Sequence, residues 1–155
     1  MNVRKLNEED VDLIYELCKT NPQYYVYCPP QLSKESILHD LKIFPKNSCI
    51  ENKYYVGYFK NKELVAVMDW INHYPKENTC FIGFFMVDAK YQHLGIGSKI
   101  MKEFLDSIDT CYEEVHLGWM KENKEAQKFW LKHGFVAQNE GKIVYAIRKG
   151  KYEKN

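Results

Sequence analysis

The chain predicts a mixed α/β (α+β) fold, with a central sheet of about six or seven strands flanked by four helices. Three observations lead there. Short strand-like runs and amphipathic helical runs alternate irregularly, so a regular βαβ repeat is excluded. The run Thr79 to Val87 is nearly continuous in apolar residues, as a strand covered on both faces must be. Two helical segments then follow strands, one opened by Gly95 and the other capped by Asn123.

The elements follow in order. Met1 to Leu6 is a short strand candidate. Asn7 caps the first helix with Asp10 three residues on, Leu6 can staple against Val11, and Val11, Ile14, Leu17 and Cys18 share its apolar face. Asn21-Pro22 ends it, and an aromatic loop from Gln23 to Pro30 follows. Ser33 caps the second helix, with an apolar stripe of Ile37, Leu38, Leu41 and Phe44, and Pro45 stops it. Lys53 to Phe59 and Leu64 to Ile71 form a hairpin through the polar turn Lys60–Glu63, and Thr79 to Val87 returns after the turn His73–Asn78. Ile96, Ile100, Met101, Phe104, Leu105 and Ile108 recur at helical spacing. Glu113 to Met120 is a strand with Val115, Leu117 and Trp119 on one face. The last helix runs from Asn123 to His133, where Gly134 suits a left-handed cap and Phe135 can pack back on Trp130. Phe135 to Ala137 and Lys142 to Arg148 are the closing strands. Residues 1–148 form one domain and 149–155 a polar tail.

Composition narrows the function. With 155 residues and a formal net charge of +1, the chain lacks the basic excess of a non-specific nucleic-acid binder. Cys18, Cys28, Cys49, Cys80 and Cys111 are odd in number and show no CxxC spacing, which argues against a disulfide framework or a structural zinc and for a reducing, cytoplasmic setting. The longest apolar run, Phe81 to Val87, is far too short to span a bilayer.

The segment Val87-Asp88-Ala89-Lys90-Tyr91-Gln92-His93-Leu94-Gly95-Ile96-Gly97-Ser98 joins a buried strand to an amphipathic helix. A helix start presents unpaired N–H groups and the positive end of the dipole, and glycines let an anion approach the backbone closely. A diphosphate is the natural guest. The segment lacks the GxxxxGK[ST] of a Walker loop, and Ile100 stands where GxGxxG needs its last glycine.

Gln92-His93-Leu94-Gly95-Ile96-Gly97 resembles the Q/R-x-x-G-x-G/A motif of the GNAT N-acetyltransferases, with Val87 five residues upstream as in that family's fourth strand. Asn123, Ala126, Phe129, Trp130, Gly134 and Phe135 resemble the same family's N-x-x-A-x-x-[FL]-Y-x-x-x-G-F segment. The resemblance spans residues 2 to 148 and is most specific between Phe81 and Phe135. It implies a GNAT-type sheet with its fourth and fifth strands splayed, and transfer of an acetyl group from acetyl-CoA to an amine of a small molecule or protein, with no metal. It assigns CoA contacts to Phe85, Met86, Val87, Gln92, His93, Leu94, Gly95, Ile96, Gly97, Ser98, Asn123, Ala126, Phe129 and Trp130. A homodimer through a strand edge is compatible with this fold.

Two positions depart from the family. Trp130 replaces the usual acidic Tyr, and an indole cannot usefully release its proton; it is a wall of the CoA channel or a core residue under Phe135. Phe81 stands where some members carry a basic Glu, and Thr79 to Val87 contains no carboxylate. Asp69, late in its strand, is the candidate base, with His73, Tyr74, His116 or a chain of waters as alternatives. Tyr24, Tyr25 and Tyr27 either line an acceptor pocket or pack their loop. One or two of Lys90, Lys99, Lys128 and Lys132 are candidates for the CoA 3′-phosphate, beside the plainer reading of solvated lysines. The missing Tyr and Glu keep a second reading open, a CoA-binding regulatory module without catalysis. An unrelated α/β binding domain would have to treat both motifs as coincidence.

Overall fold

A computed structural model describes residues 1–153. Seven strands form one sheet: β1 (Asn2–Lys5), β2 (Lys53–Lys60), β3 (Glu63–Asn72), β4 (Thr79–Val87), β5 (Glu114–Met120), β6 (Val136–Ala137) and β7 (Ile143–Lys149), in the order β1-β2-β3-β4-β5-β7-β6. Every neighbouring pair is antiparallel except β4–β5, which is parallel. The helices are α1 (Val11–Lys19), α2 (Pro22–Tyr27), α3 (Lys34–Lys42), α4 (Ile96–Ile108) and α5 (Lys124–Lys132).

Alternation along the strands sends side chains into two cores. On one face Met68, Cys80, Ile82, Val115, Leu117 and Trp119 pack with Ile100, Met101 and Leu105 of α4 and Trp130 of α5. On the other, Tyr55, Leu64, Val67 and Met86 pack with Ile14, Leu17 and Cys18 of α1 and Ile37 of α3. β4 supplies both cores, which explains its unbroken apolar sequence.

Caps form at several expected positions. Asn7 accepts from the Glu9 N–H at 2.9 Å, and Ser33 and Ser36 make a reciprocal capping box. Gly134 is left-handed at φ 89, and the Trp130 and Phe135 rings meet edge to face at 5.4 Å.

Three expectations change. Among the described residues there are five α-helices rather than four, because Pro22 does not end structure but opens α2, filling the first-turn position where its missing N–H costs nothing. The expected loop around Tyr24–Tyr27 is therefore helical. α3 ends at Lys42, so Phe44 lies beyond the stripe and is exposed. The expected tail begins too early: Lys149 ends β7, and the N–H groups of Gly150 and Lys151 donate to Glu113 O and Asp109 O. Lys154 and Asn155, the last two residues of that tail, lie outside the described residues. No helix among the described residues is long and apolar enough to cross a membrane.

Candidate acyl-transfer site

The site begins where β4 and β5 part. Their parallel ladder holds Thr79 to Ile82 against Glu114 to Leu117 and ends there, so Gly83–Val87 and Gly118–Met120 have no partner across the gap. The break coincides with a bulge. Asp69 pairs with Phe84 and Trp70 with Ile82, so Gly83 is an extra residue in β4. Ile82 and Phe85, three apart, consequently share the α4–α5 core, while Phe84 turns toward α1.

Past the bulge, an aromatic wall faces α4 and α5. The Phe85 and Phe129 rings stack at 5.8 Å, and Trp130 lies edge-on to Phe129 at 4.9 Å and to Phe85 at 6.2 Å. Trp130 is a buried partner of Phe135, as the core reading expected, and also a member of this aromatic cluster. Met86 points the opposite way, into the α1 core, and its backbone lies on the β3 side of the ladder, in phase with the Asp88 N–H to Val65 O bond, so the backbone groups turned toward the gap are those of Phe85 and Val87.

The β4–α4 connection is built for a helix start free of side chains. His93 and Gly95 adopt φ 63 and 80. A Cβ on Gly95 would meet nothing within 4 Å, so its constraint is conformational. Gly97 is constrained by space: its Cβ would lie 3.3 Å from Val87 Cγ2 and 3.7 Å from Phe129 Cε1. His93 and Leu94 are exposed, Ile96 and Ser98 partly so. Asn123 accepts from the Ala126 N–H at 3.1 Å and caps α5 at the end opposite Lys132 and His133, which meet Ser98.

Gln92 acts from behind. Its Nε2 donates to Val87 O at 2.8 Å and to Asn21 Oδ1 at 2.5 Å, and Asn21 Nδ2 donates to Val87 O at 3.1 Å. The Ala89 N–H donates to Thr20 Oγ1 at 3.0 Å. Val87 O is thus already taken, and Gln92 reaches away from any diphosphate to clamp the loop. Thr20 and Asn21 were missed by sequence reasoning. Asn21 reads in the sequence only as the stop of the first helix, and the partners of both residues lie 66 to 71 residues away.

An open groove of about 680 Å³ leads off Ser98 between α4 and the end of α5, lined by Lys99, Lys102, Lys132, His133 and Arg148. Lys132 Nζ and His133 Nε2 each stand 3.3 Å from Ser98 Oγ. Burial holds the His133 pKa below its ordinary value, with Lys132 and Arg148 adding to the effect. Lys90, by contrast, is engaged by Glu63 on the surface, and Lys128 does not line the groove.

On the α1 face the bulge opens beside Asp69. A Cβ on Gly83 would lie 3.7 Å from Asp69 Oδ2, and Gly83 itself is exposed. Lys53 Nζ donates to both Asp69 oxygens at 2.9 Å, with side-chain exposures of 3% and 16% for Lys53 and Asp69. Burial raises the Asp69 pKa, and Lys53 offsets part of the rise. Asp69 is therefore a paired, interior carboxylate and not a solvated strand end. Tyr24 packs on Phe84 at 5.5 Å and on Tyr25 at 5.0 Å, so α2 walls this side of the gap. Burial raises the pKa of both phenols, which keep their protons. Tyr27 is half-buried and takes no part in these ring contacts.

The other base candidates lie at the closed end. His116 is opposite Phe81 in the intact ladder and bonds Glu114 Oε1 at 2.9 Å, while Phe81 packs on Tyr74 at 5.7 Å. Among the described residues no group of three or more His, Cys, Asp or Glu gathers as metal ligands, and all five cysteines are free.

Comparison with known proteins agrees with this geometry. Residues 14–135 match the model of the acetyltransferase (GNAT) family. No curated protein matches by sequence. Among solved structures, an acetyltransferase from Thermus thermophilus superposes with a TM-score of 0.82 at 17% identity, covering 96% of each chain. The PaiA N-acetyltransferase of Thermoplasma acidophilum, solved with coenzyme A, gives 0.72 at 18% identity over 96% of this chain and 98% of its own. The ribosomal-protein-S18-alanine N-acetyltransferase of Escherichia coli gives 0.72 at 12% identity over 99% and 96%. At these identities the likeness is one of fold.

Proposed function

The chain belongs to the GNAT acetyltransferase family, and from that premise we propose that it is an N-acetyltransferase moving the acetyl group of acetyl-CoA onto a primary amine of a small molecule or protein. One observation carries the reading: β4 leaves β5 at the Gly83 bulge and runs on to the start of α4, where Gly95 and Gly97 carry no side chain. A long thin arm with a diphosphate at one end suits that shape. Acetyl-CoA, when bound, supplies an activated acetyl thioester.

The residues divide the work. N–H groups from Gly95 to Ser98 receive the diphosphate at the positive end of α4. Lys99 and Lys132 offer charge to the 3′-phosphate. Phe85, Phe129 and Trp130 exclude water along the arm, and the backbone of Phe85, which faces away from β3, provides a donor and an acceptor past the bulge. The amine enters on the α1 face, where Gly83 leaves room over Asp69 and where Tyr24 and Tyr25 form a wall. An ammonium has no lone pair to attack with, so a proton must leave; Asp69, whose pKa burial raises and Lys53 partly restores, is placed to take it directly or through water. Five free thiols suit a reducing, cytoplasmic compartment.

Acetyl-CoA consumption against a panel of polyamines, amino acids, aminoglycosides and peptide N-termini tests this. Amine-dependent release of CoA supports it. Binding of CoA with no turnover on any amine would favour the regulatory module instead.

A further inference from the structure

We propose that the indole N–H of Trp119 is a ligand donor that gives its hydrogen bond to an amide carbonyl of the pantetheine arm of CoA. The inference rests on the open β4–β5 gap being the CoA cleft. Trp119 is 6% exposed, and its Nε1 is a fully buried side-chain donor with no acceptor among the described residues. Ser48 Oγ shares that condition but lies in the loop between α3 and β2, not on β4 or β5.

A buried tryptophan normally finds a partner for its N–H, because a donor taken out of water without one destabilises the fold. Phe or Leu would supply apolar bulk at this place without that demand. The position explains the choice. Leu117 is the last β5 residue paired with β4, and Trp119 is the next residue on the same face, in the α4–α5 core with Val87 and Trp130. Its backbone is matched on the far side by Val144 of β7, while the β4 side is open. The diphosphate cradle lies beyond Val87 and the gap closes at Ile82, so an arm joining the two ends must pass the stretch that Trp119 flanks. That arm carries two amide carbonyls, each an acceptor of the kind the indole lacks.

Nuclear magnetic resonance of nitrogen-15-labelled protein reads the bond directly. The three indole signals, from Trp70, Trp119 and Trp130, are assigned with Trp70→Phe and Trp130→Phe, which leaves Trp119 by elimination even if Trp119→Phe does not fold. CoA should move the Trp119 indole proton downfield and slow its exchange with solvent. Adenosine 3′,5′-bisphosphate, which lacks the arm, should perturb the Gly95–Ser98 backbone and leave that indole alone. Trp119→Phe should weaken CoA about three- to tenfold and leave the bisphosphate affinity unchanged. A CoA complex that shifts the Gly95–Ser98 backbone but not the Trp119 indole overturns the assignment while keeping the cleft. A shift with acetyl-CoA but none with CoA overturns it in favour of the thioester carbonyl. CoA that moves no signal removes the cleft reading and the inference with it.

Discussion

The two halves of the β4–β5 seam differ in what they leave unfinished. In the closed half, Thr79–Ile82 lies against Glu114–Leu117 and polar groups answer one another: Glu114 takes Lys149 Nζ at 2.7 Å and His116 Nε2 at 2.9 Å. In the open half the backbone has no partner across the gap, a tryptophan N–H is orphaned, and Gly83 and Gly97 carry no side chain where one would fill the space. A fold that satisfies its polar groups so thoroughly at one end has left them waiting at the other. The difference supports the proposal that the open half is the functional end, and attempts to disturb each half should have different consequences.

The largest effect is expected in the open half, at Gly97. Gly97→Asp should lower CoA affinity by about a hundredfold or more, because its Cβ meets Val87 and its carboxylate opposes the diphosphate. The close approach to Val87 and Phe129 means that the melting temperature should fall as well. Calorimetry and thermal melts check both; unchanged affinity in a folded variant would mean that the cradle is elsewhere.

Asp69 comes next. Asp69→Asn should reduce turnover roughly a hundredfold if the carboxylate takes the proton. It also strands the buried Lys53 ammonium, at a cost of roughly 3–5 kcal/mol of stability. Asp69→Asn combined with Lys53→Met relieves that cost and isolates the chemistry. Since the Asp69 pKa is raised, wild-type turnover should decline as pH falls through a value above the ordinary carboxylate range. With Asp69 as the base this acid limb stays fixed across acceptor amines of different pKa. With water as the base, the limb moves with the amine.

The smallest effect belongs to the closed half. Lys149 and His116 pull the Glu114 pKa down from 4.5 to about 2. A carboxylate depressed in the folded state contributes its stability above the unfolded pKa. That contribution is lost as pH falls from about 4.5 toward 2. Glu114→Gln should flatten this part of the acid-unfolding curve and leave CoA affinity alone. The effect is modest because the Lys149 partner is 80% exposed. A matching loss of CoA affinity would break the separation between the halves.

Much of this was legible in the sequence, and the rest was hidden for physical reasons. The unbroken apolar run of β4, the helical spacing of α4 and the glycines at its start are local signals, and they placed the central strand and the helix that follows it. Pro22 was misread because proline both ends helices and starts them, and only the packing of Tyr24 on Phe84 decides. Asp69 looked like a strand-end residue because Lys53, its partner, faces it only through the β2–β3 register. The inward turn of Gln92 depends on Asn21, which no local pattern brings near. Trp119 read simply as one of three residues on the buried face of β5. Its unpaired N–H becomes visible only once the end of the β4–β5 ladder is known.

Isothermal titration with CoA bears most directly on the claim that the open half is a ligand cleft. The expected result is saturable binding to one site per chain, lost in Gly97→Asp and retained in Glu114→Gln. Absence of binding at millimolar CoA to the folded wild-type protein, or equal binding by all three proteins, would contradict it.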